Sequence, residues 1–340
     1  MSNVVLELKE LHTHFFTENG EIPAVDGVSI KLHKGEIVGI VGESGCGKSV
    51  TSLSIMGLVP SPPGKIVGGE INFKGENLVT ASPKRIKNIR GNEIAMIFQE
   101  PMTSLNPLFT IGNQLIEALR MHQKITKKDA RKKSIEMLKL VGIPRPDAVI
   151  DEYPHQLSGG MRQRVMIAMA MLCNPEVLIA DEPTTALDVT IQAQILDIMR
   201  NLNQKQDTAI LMITHDLGVV AEICDRVVVM YSGKVVEEGT TREILKDPQH
   251  PYTVGLIRSL PNMNVKNQQL YSIPGTVPLP KIGRTACGFA PRCEFALDRC
   301  FQENPDLYVL ESGRSSRCFL NDADGEKGGP LKDAEAAIRS

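Results

Sequence analysis

Apolar and polar residues follow two different periods along this chain, and the periods separate strands from helices. Val4 to Phe16 alternates as a half-buried strand does, and Glu36 to Val41 is an apolar run of the right length for a buried strand. Two further short apolar runs are Val177 to Ala180 and Ala209 to Ile213. The intervening segments have a helical period, at residues 49–56, 111–142, 158–172 and 189–204. Alternating strands and helices predict an α/β fold with a mostly parallel sheet and helices on both faces.

The pattern changes in the last quarter of the chain. Residues 226–231 and 234–238 predict an antiparallel hairpin. Beyond Asp247 the sequence is punctuated by proline, and residues 321–329 have the polar, glycine-rich composition of a poorly ordered tail. We therefore predict a large α/β domain over residues 1–246, with a helical subdomain at about 100–165 and an antiparallel β subdomain. A small loop-rich extension follows over residues 247–340.

The charge balance narrows the classes of partner. Lys and Arg total 38 against 40 Asp and Glu, a net charge of −2, so nucleic acid is not attracted by the chain as a whole. The basic run from Lys124 to Lys133 lacks interleaved aromatic residues, which favours a solvated helix face. No apolar run approaches the roughly 18–20 residues of a membrane span. The N-terminus also lacks the pattern of a secretory signal, so a role at a membrane would need a membrane-spanning partner.

The strongest chemical signal is the segment GESGCGKS at residues 42–49. Its glycines let the backbone wrap around phosphate oxygens, so that successive N–H groups point inward as donors. Lys48 adds a positive charge for the β- and γ-phosphates, and Ser49 offers a hydroxyl to Mg²⁺. The segment predicts a binding site for ATP or GTP. The predicted nucleotide contacts are Ser44, Gly45, Cys46, Gly47, Lys48, Ser49 and Val50.

A second motif follows the apolar run at 177–180, where two acids, Asp181 and Glu182, end a predicted strand. Ligands bind at the carboxyl ends of strands in folds of this kind. Asp181 is predicted to hold Mg²⁺, directly or through water. Glu182 is predicted to polarise the attacking water as general base, which is worth roughly 10²–10⁴ in rate.

A third motif, Leu157-Ser-Gly-Gly-Met161, lies at the start of a predicted helix. A serine hydroxyl, close backbone N–H groups and a helix N-terminus together suit a phosphate. One nucleotide does not need two such sites on one chain. We therefore expect Ser158, Gly159 and Gly160 to contact a nucleotide held by another subunit.

These motifs, taken in order over roughly residues 4–245, resemble those of the ATP-binding subunits of ABC transporters. Residues 42–49 resemble the Walker A loop, 157–161 the signature motif, and 178–183 the Walker B strand. The resemblance implies ATP as nucleotide, an ATPase activity, and an ABC-type P-loop fold. Glu182, His215 and Lys48 would be the catalytic residues.

The same resemblance assigns roles to several other positions. Gln99 would contact Mg²⁺ together with Ser49 and Asp181, residues 186–188 would form the D-loop, and His215 would contact the γ-phosphate. Phe15 falls where the family stacks an aromatic ring on adenine. Phe16 is the alternative to it, and either ring could instead belong to the core.

Three longer segments narrow the resemblance to the importers of dipeptides and oligopeptides, a branch that also includes nickel importers. They are PMTSLNP at 101–107, YPHQLSGGMRQRV at 153–165 and HPYT at 250–253. The resemblance implies a head-to-tail pair with a second, related ATPase chain, two membrane-spanning permease subunits and an extracellular solute-binding protein. It places the chain at the cytoplasmic face of the membrane, as a peripheral subunit.

Four of the seven cysteines crowd into the extension, at Cys287, Cys293, Cys300 and Cys318. Four thiolates suit either tetrahedral Zn²⁺ or an iron–sulfur cluster. The gaps are wider than those of ordinary zinc knuckles, and members of this importer branch resemble proteins with a [4Fe–4S] cluster. We expect the cluster, with a structural role, and keep zinc and free or disulfide-linked cysteines as alternatives.

Two other functions compete with the importer ATPase. A soluble ABC-type ATPase that acts on nucleic acid would typically carry coiled-coil insertions or a second cassette, and this chain has no heptad run and no basic surplus. A non-catalytic binding module would not need Glu182 and His215. Both alternatives are therefore disfavoured.

Overall fold

The computed structural model describes residues 3–99, 105–185, 188–260, 271–310 and 313–322. Its strands are β1 (Val4–Thr17), β2 (Gly20–His33), β3 (Ile37–Val41), β4 (Gly64–Phe73), β5 (Glu76–Asn77), β6 (Ile94–Ile97), β7 (Val177–Asp181), β8 (Ala209–Ile213), β9 (Arg226–Tyr231), β10 (Lys234–Thr240), β11 (Tyr308–Val309) and β12 (Ser315–Ser316). Its α-helices are α1 (Lys48–Ile55), α2 (Pro83–Ile89), α3 (Ile111–His122), α4 (Lys127–Leu140), α5 (Pro146–Val149), α6 (Gly159–Met171), α7 (Val189–Gln206), α8 (Leu217–Ile223), α9 (Thr241–Lys246) and α10 (Pro251–Arg258).

The chain divides into two compact units. The first takes the described residues up to Leu6, residues 31–37 and the described residues from 73 to 213. The second takes residues 7–30 and 38–72 and the described residues from Thr214 onward. Each unit carries part of the predicted chemistry.

A parallel sheet forms the centre of the first unit. Strand β7 lies between β6 and β8, with Ile94 opposite Val177 and Asp181 opposite Ile213. All five residues of β7 and of β8 are buried, as expected for strands with both faces covered. The two acids at the end of β7 therefore lie at the carboxyl edge of this sheet, as the sequence predicts.

The helical part of the first unit follows the sequence pattern, in which residues 111–142 have a helical period and Thr126-x-x-Asp129 predicts the N-cap of a helix that begins within this stretch. The stretch predicted at 111–142 is two helices, α3 and α4, which pack against each other. The helix breaks after Gln123 and begins again after Thr126, whose hydroxyl accepts a hydrogen bond from the Asp129 N–H at 3.2 Å. This is the N-cap that the sequence predicts, because a serine or threonine side chain there satisfies an otherwise unpaired helix N–H.

The second unit contains a mixed sheet. Strand β3 pairs in parallel with β9, and β9 forms the predicted antiparallel hairpin with β10. Strand β12, from the C-terminal extension, then pairs with β10, with Ser315 opposite Glu238 and Ser316 opposite Glu237. Strand β11 pairs with β12. Residues of the extension thus add two short strands to this sheet, beyond β10.

A second, antiparallel sheet contains β2, β1 and β4 in that order. Strands β2 and β4 both continue through partly exposed residues, whose polarity hides the strand pattern in the sequence. The hydroxyl of Thr13 on β1 lies 2.8 Å from the hydroxyl of Ser54 on α1, and both side chains are buried. This contact joins the sheet to the helix that follows the phosphate loop.

Candidate active site

The phosphate loop runs from the end of β3 to the start of α1. Gly47, its last residue before α1, has a φ of 103°, in the left-handed region that glycine alone adopts without cost. A Cβ atom on Gly47 would lie 2.3 Å from the Ala24 carbonyl oxygen, and one on Gly42 would lie 2.3 Å from the Met230 carbonyl oxygen. The predicted glycines are therefore required by backbone shape and by close packing.

Lys48 lies within the curve of this loop. Its ammonium donates to the carbonyl oxygens of Gly42 at 2.7 Å and Glu43 at 3.0 Å, and the residue is buried. Ser44 and Gly45 are exposed at the turn, while Ser49 and Val50 are half-buried in the first turn of α1. An ammonium held by two neutral carbonyls carries an uncompensated charge, which suits an anionic phosphate.

Cys46 is the cysteine of the phosphate loop. The side chain is fully buried, and burial raises the pKa of its thiol although the Lys48 ammonium nearby acts in the opposite direction. A buried thiol with a raised pKa is unreactive. Cys46 is therefore a small residue that fills the loop.

Two other predicted contacts lie in the same unit as the loop. The Thr214 N–H donates to the Ile40 carbonyl oxygen at 3.2 Å, so His215, which is exposed, follows β8 at the edge where β3 enters the loop. Phe15 is half-buried on β1, whereas Phe16 is 49% exposed. Alternate strand residues share a face, so Phe15 lies on the same face of β1 as Thr13, which contacts α1.

Two acidic residues, Asp181 and Glu182, lie at the end of strand β7 in the first unit. Asp181 ends β7 and is buried. Glu182 follows with a φ of 48°, a left-handed conformation that is strained for this residue type and that occurs often at functional sites. Its carboxylate accepts hydrogen bonds from the Gln99 amide at 3.1 Å and from the Thr185 hydroxyl at 2.9 Å. The structure therefore brings Gln99 and Glu182 together, and it adds Thr185, which no sequence motif marked.

The signature residues line a pocket of about 500 Å³ in the first unit. Ser158 caps α6, its hydroxyl accepting from the Met161 N–H at 3.3 Å. The pocket is lined by Gly142, Pro144, Ser158, Gly159, Gly160, Met161, Arg164, Asp188 and Ile191. Asp188 is the part of the predicted D-loop that is described, where it caps α7, and the rest of the motif, residues 186–187, lies outside the described residues.

Helix α6 also contacts the strand end that carries Glu182. The buried amide of Gln163 donates to the carbonyl oxygen of Pro183, the residue after Glu182. A displacement of the signature helix would therefore be transmitted to the backbone beside Glu182.

The four cysteines of the extension share one apolar pocket in the second unit. Cys287, Cys293, Cys300 and Cys318 all line it, together with Phe289, Phe295 and Phe319 among others, around a cavity of about 10 Å³. The Cys287 N–H donates to the Cys300 carbonyl oxygen at 2.9 Å. Burial, with a smaller contribution from the neighbouring cysteines, raises the pKa of Cys293 and of Cys318 to about 12. Among the residues that the structure describes, no group of three or more His, Cys, Asp or Glu side chains is arranged so that it could hold a metal ion.

Comparison with known proteins decides the family. The profile of the ABC transporter family matches residues 25–185, and that of the oligopeptide/dipeptide transporter C-terminal region matches residues 236–300. The oligopeptide transport ATP-binding protein AppD of Bacillus subtilis is 54% identical over 323 residues, which cover 95% of this chain and 98% of that protein. The chain belongs to the ATP-binding proteins of the oligopeptide and dipeptide ABC transporter family.

Further matches agree with this family. The dipeptide transport ATP-binding protein DppD of Escherichia coli is 50% identical, over 94% of this chain and 98% of that protein. The dimeric, ADP- and phosphate-bound ATP-binding cassette MJ0796 matches with a TM-score of 0.63 and 28% identity, over 70% of this chain and 99% of that one. The predicted ABC ATPase fold and the ATPase activity are thereby confirmed. Membership also implies membrane permease partners, and in the described part of the chain no helix has the length and apolar character needed to cross a bilayer.

Proposed function

We propose that this ATPase powers the import of short peptides, with dipeptides as the first candidate. The observation that carries the proposal is the similarity to oligopeptide and dipeptide transport proteins at about half identity over nearly the whole chain, the C-terminal region included. The solute itself would be selected by other subunits. Nickel, the other cargo of this branch, is an outcome of the test below.

For hydrolysis, Glu182 is the proposed general base. Its carboxylate is oriented by the Gln99 amide and the Thr185 hydroxyl, and one of its oxygens would accept a proton from the attacking water. Lys48 would hold the β- and γ-phosphates, and His215 would contact the γ-phosphate. The rate would come mainly from positioning and from charge stabilisation, as in other phosphoryl transfers.

Ser49, Gln99 and Asp181 are the proposed ligands of Mg²⁺. Their hydroxyl, amide and carboxylate oxygens are the hard donors that this ion prefers. The Gln99 NH₂ group is used on Glu182, which leaves its amide oxygen for the cation. Bound Mg²⁺ would neutralise charge that develops on the phosphates.

The pocket lined by Ser158, Gly159 and Gly160 is the proposed binding site for the phosphates of a nucleotide held by a second ATPase chain. Helix α6 spans 13 residues, so its N-terminus offers unpaired N–H groups and a favourable dipole for an anion. ATP would close the pair of ATPase chains, and hydrolysis would open it. The adenine would stack on Phe15, which is supported over Phe16 by the face of β1 that Phe15 shares with Thr13.

We also propose that the cysteine pocket holds a [4Fe–4S] cluster, with Cys287, Cys293, Cys300 and Cys318 as its ligands. The support is chemical, since four thiols from four separate points of the chain line one apolar pocket. A bound cluster would link these points covalently through sulfur–iron bonds. It would thereby stabilise an extension in which Ala290, Cys300 and Phe319 form a small buried apolar cluster.

The remaining assignments concern architecture. We place the boundary between the ATPase domain, with its helical subdomain at about 100–165, and the extension at residues 246/247. The second ATPase is proposed to be a related but different chain. With it would work two membrane-spanning permeases and an extracellular solute-binding protein, and the chain would lie at the cytoplasmic face of the membrane.

Uptake by cells tests the transport proposal. Cells whose importer contains the wild-type chain should accumulate a labelled dipeptide, and cells with the Glu182→Gln chain should not. A labelled pentapeptide and ⁶³Ni²⁺ are offered in parallel. Uptake of ⁶³Ni²⁺ without dipeptide would contradict the proposed cargo and leave the ATPase assignment intact.

Metal analysis after anaerobic purification tests the cluster. We expect about four irons and four acid-labile sulfides per chain, with visible absorption that bleaches on reduction. One zinc without sulfide, or no metal at all, would overturn the cluster proposal.

A further inference from the structure

Glu43, the second residue of the phosphate loop, turns its side chain toward the C-terminal extension. Its carboxylate accepts two hydrogen bonds from the Arg292 guanidinium, at 2.8 Å from Nη1 and at 3.0 Å from Nη2. Such a two-point pair of charged groups is stronger and geometrically more restrictive than a single hydrogen bond. The side chain of Arg292 is 5% exposed and that of Glu43 is 30% exposed, so the pair is shielded from solvent mainly on the arginine side.

Arg292 is itself held rigidly. Its Nε donates to the Pro274 carbonyl oxygen at 2.8 Å, and Nη1 also donates to the Tyr231 hydroxyl at 3.3 Å. The guanidinium lies 5.8 Å from the centroid of the Tyr231 ring. A side chain with these contacts loses little further freedom when it fixes a partner.

The backbone of Glu43 is fixed by a second residue from beyond the ATPase domain. The Glu43 N–H donates to the Tyr252 hydroxyl at 2.7 Å. Tyr252 is fully buried, and its ring packs edge-on against Tyr231 with 4.7 Å between centroids. Because Lys48 donates to the carbonyl oxygen of the same Glu43, one residue of the loop is held at its N–H, its carboxylate and its carbonyl.

We propose that Arg292 and Tyr252 are positioning residues for nucleotide binding, which act through Glu43 to hold the phosphate loop in its binding shape. Neither residue needs to contact the nucleotide. A loop that is already ordered before binding loses less entropy when the phosphates enter, so the affinity for nucleotide is higher. The C-terminal extension thus becomes part of the machinery of ATP binding, whatever solute the transporter carries.

A double-mutant cycle tests the proposal on the full-length, anaerobically purified chain. Calorimetric titration with Mg·ADP gives Kd for the wild type, Glu43→Gln, Arg292→Gln and the double variant. We expect each single change to weaken binding by about tenfold and the double change by no more than either alone, because both remove one interaction. Arg292→Lys, which keeps the charge and loses the two-point geometry, should fall between wild type and Arg292→Gln.

A matched control separates positioning from general damage to the extension. Arg314, also in the extension, donates to the Asp247 carboxylate at 2.6 Å and to the Asp247 carbonyl oxygen at 2.8 Å, so Arg314→Gln should leave Kd for Mg·ADP within about twofold. In the assembled transporter, Arg292→Gln should raise KM for ATP and leave kcat nearly unchanged.

Either of two results overturns the proposal. One is an unchanged Kd in folded Arg292→Gln, and the other is additive effects of the two single changes. If Arg292→Gln does not fold, Glu43→Gln and Tyr252→Phe decide, since both keep the arginine, and an unchanged Kd in both would reject the positioning role. The titration involves no peptide, so its failure is distinct from a failure of the proposed transport function.

Discussion

The phosphate loop and the cysteine pocket lie in the same compact unit, yet they are encoded in opposite ways. The loop consists of eight consecutive residues, 42–49, and its shape depends on the positions of the glycines among them. The pocket needs Cys287, Cys293, Cys300 and Cys318, which are brought together by short turns and by the pairing of β12 with β10. A loop made of consecutive residues can be recognised in the sequence. A pocket lined by residues that are far apart in the chain forms only when the chain folds.

The two kinds of encoding should also fail differently. Substitutions in the loop should differ in their effect on stability, because the backbone conformation differs from one position to the next. If the four cysteines hold the proposed cluster, the change of any one of them should release the whole cluster. Cys300→Ser and Gly47→Ala separate these behaviours, whereas Glu182→Gln and Gly159→Ala test two sites in the other unit.

The largest effect is expected at Glu182. Glu182→Gln keeps the shape of the side chain and removes its capacity to accept a proton, so kcat for ATP should fall roughly 10²–10⁴-fold while nucleotide still binds. Phosphate release by the assembled transporter measures it. Glu176→Gln, which loses only an exposed pair with Lys74, should keep its activity. Retained turnover in Glu182→Gln would show that another group is the base.

The proposed cluster should be lost completely when any one of its four proposed ligands is changed. Cys300→Ser replaces a buried thiol, and we expect iron and labile sulfide to be lost, with the same result for the other three positions. Cys173→Ser, outside the pocket, should retain full iron content. Iron that survives in one of the four variants would remove that residue from the ligand set.

Gly47 should be the most sensitive position of the loop for stability. A Cβ there would lie 2.3 Å from the Ala24 carbonyl oxygen, so Gly47→Ala should lower the free energy of unfolding by about 2–4 kcal/mol. At Gly45, where φ is also positive but no atom lies within 4 Å of the added Cβ, the loss should be about 1 kcal/mol. Equal losses in chemical denaturation would show that backbone conformation alone matters.

The smallest effect on stability is expected at Gly159. No atom lies within 4 Å of a Cβ added there, so Gly159→Ala should change the free energy of unfolding by less than about 0.5 kcal/mol. The methyl group would enter the proposed phosphate pocket, and turnover of the assembled transporter should fall by roughly tenfold or more. Normal turnover would argue that this face of the pocket does not meet a nucleotide.

The sequence was informative wherever structure depends on near neighbours. The N-caps at Thr126 and Ser158, the strand before the phosphate loop and the acids after β7 all follow from residues within a few positions. The last two of these features identified the candidate catalytic residues. The helical period over 111–142 does not show where the first of its two helices ends, whereas the N-cap pattern at Thr126 marks the start of the second.

Contacts between distant residues could not be predicted. Gln99 and Glu182 are 83 positions apart, and Glu43 and Arg292 are 249 apart. No local pattern marks either pair, since the fold alone decides which polar groups meet. The role of Arg292 therefore follows from the folded structure, whereas the neighbouring Cys293 was already a candidate ligand from the sequence.

The short pairing of β12 with β10 predicts how the ATPase domain would behave without its C-terminal extension. Without the extension, β10 would become an open edge strand with a row of unsatisfied N–H and C=O groups next to a strongly apolar β9. Such edges recruit strands from other chains and promote aggregation. We therefore expect an ATPase domain that ends at residue 246 to self-associate, so the extension serves as the chain's own protection against intermolecular sheet growth.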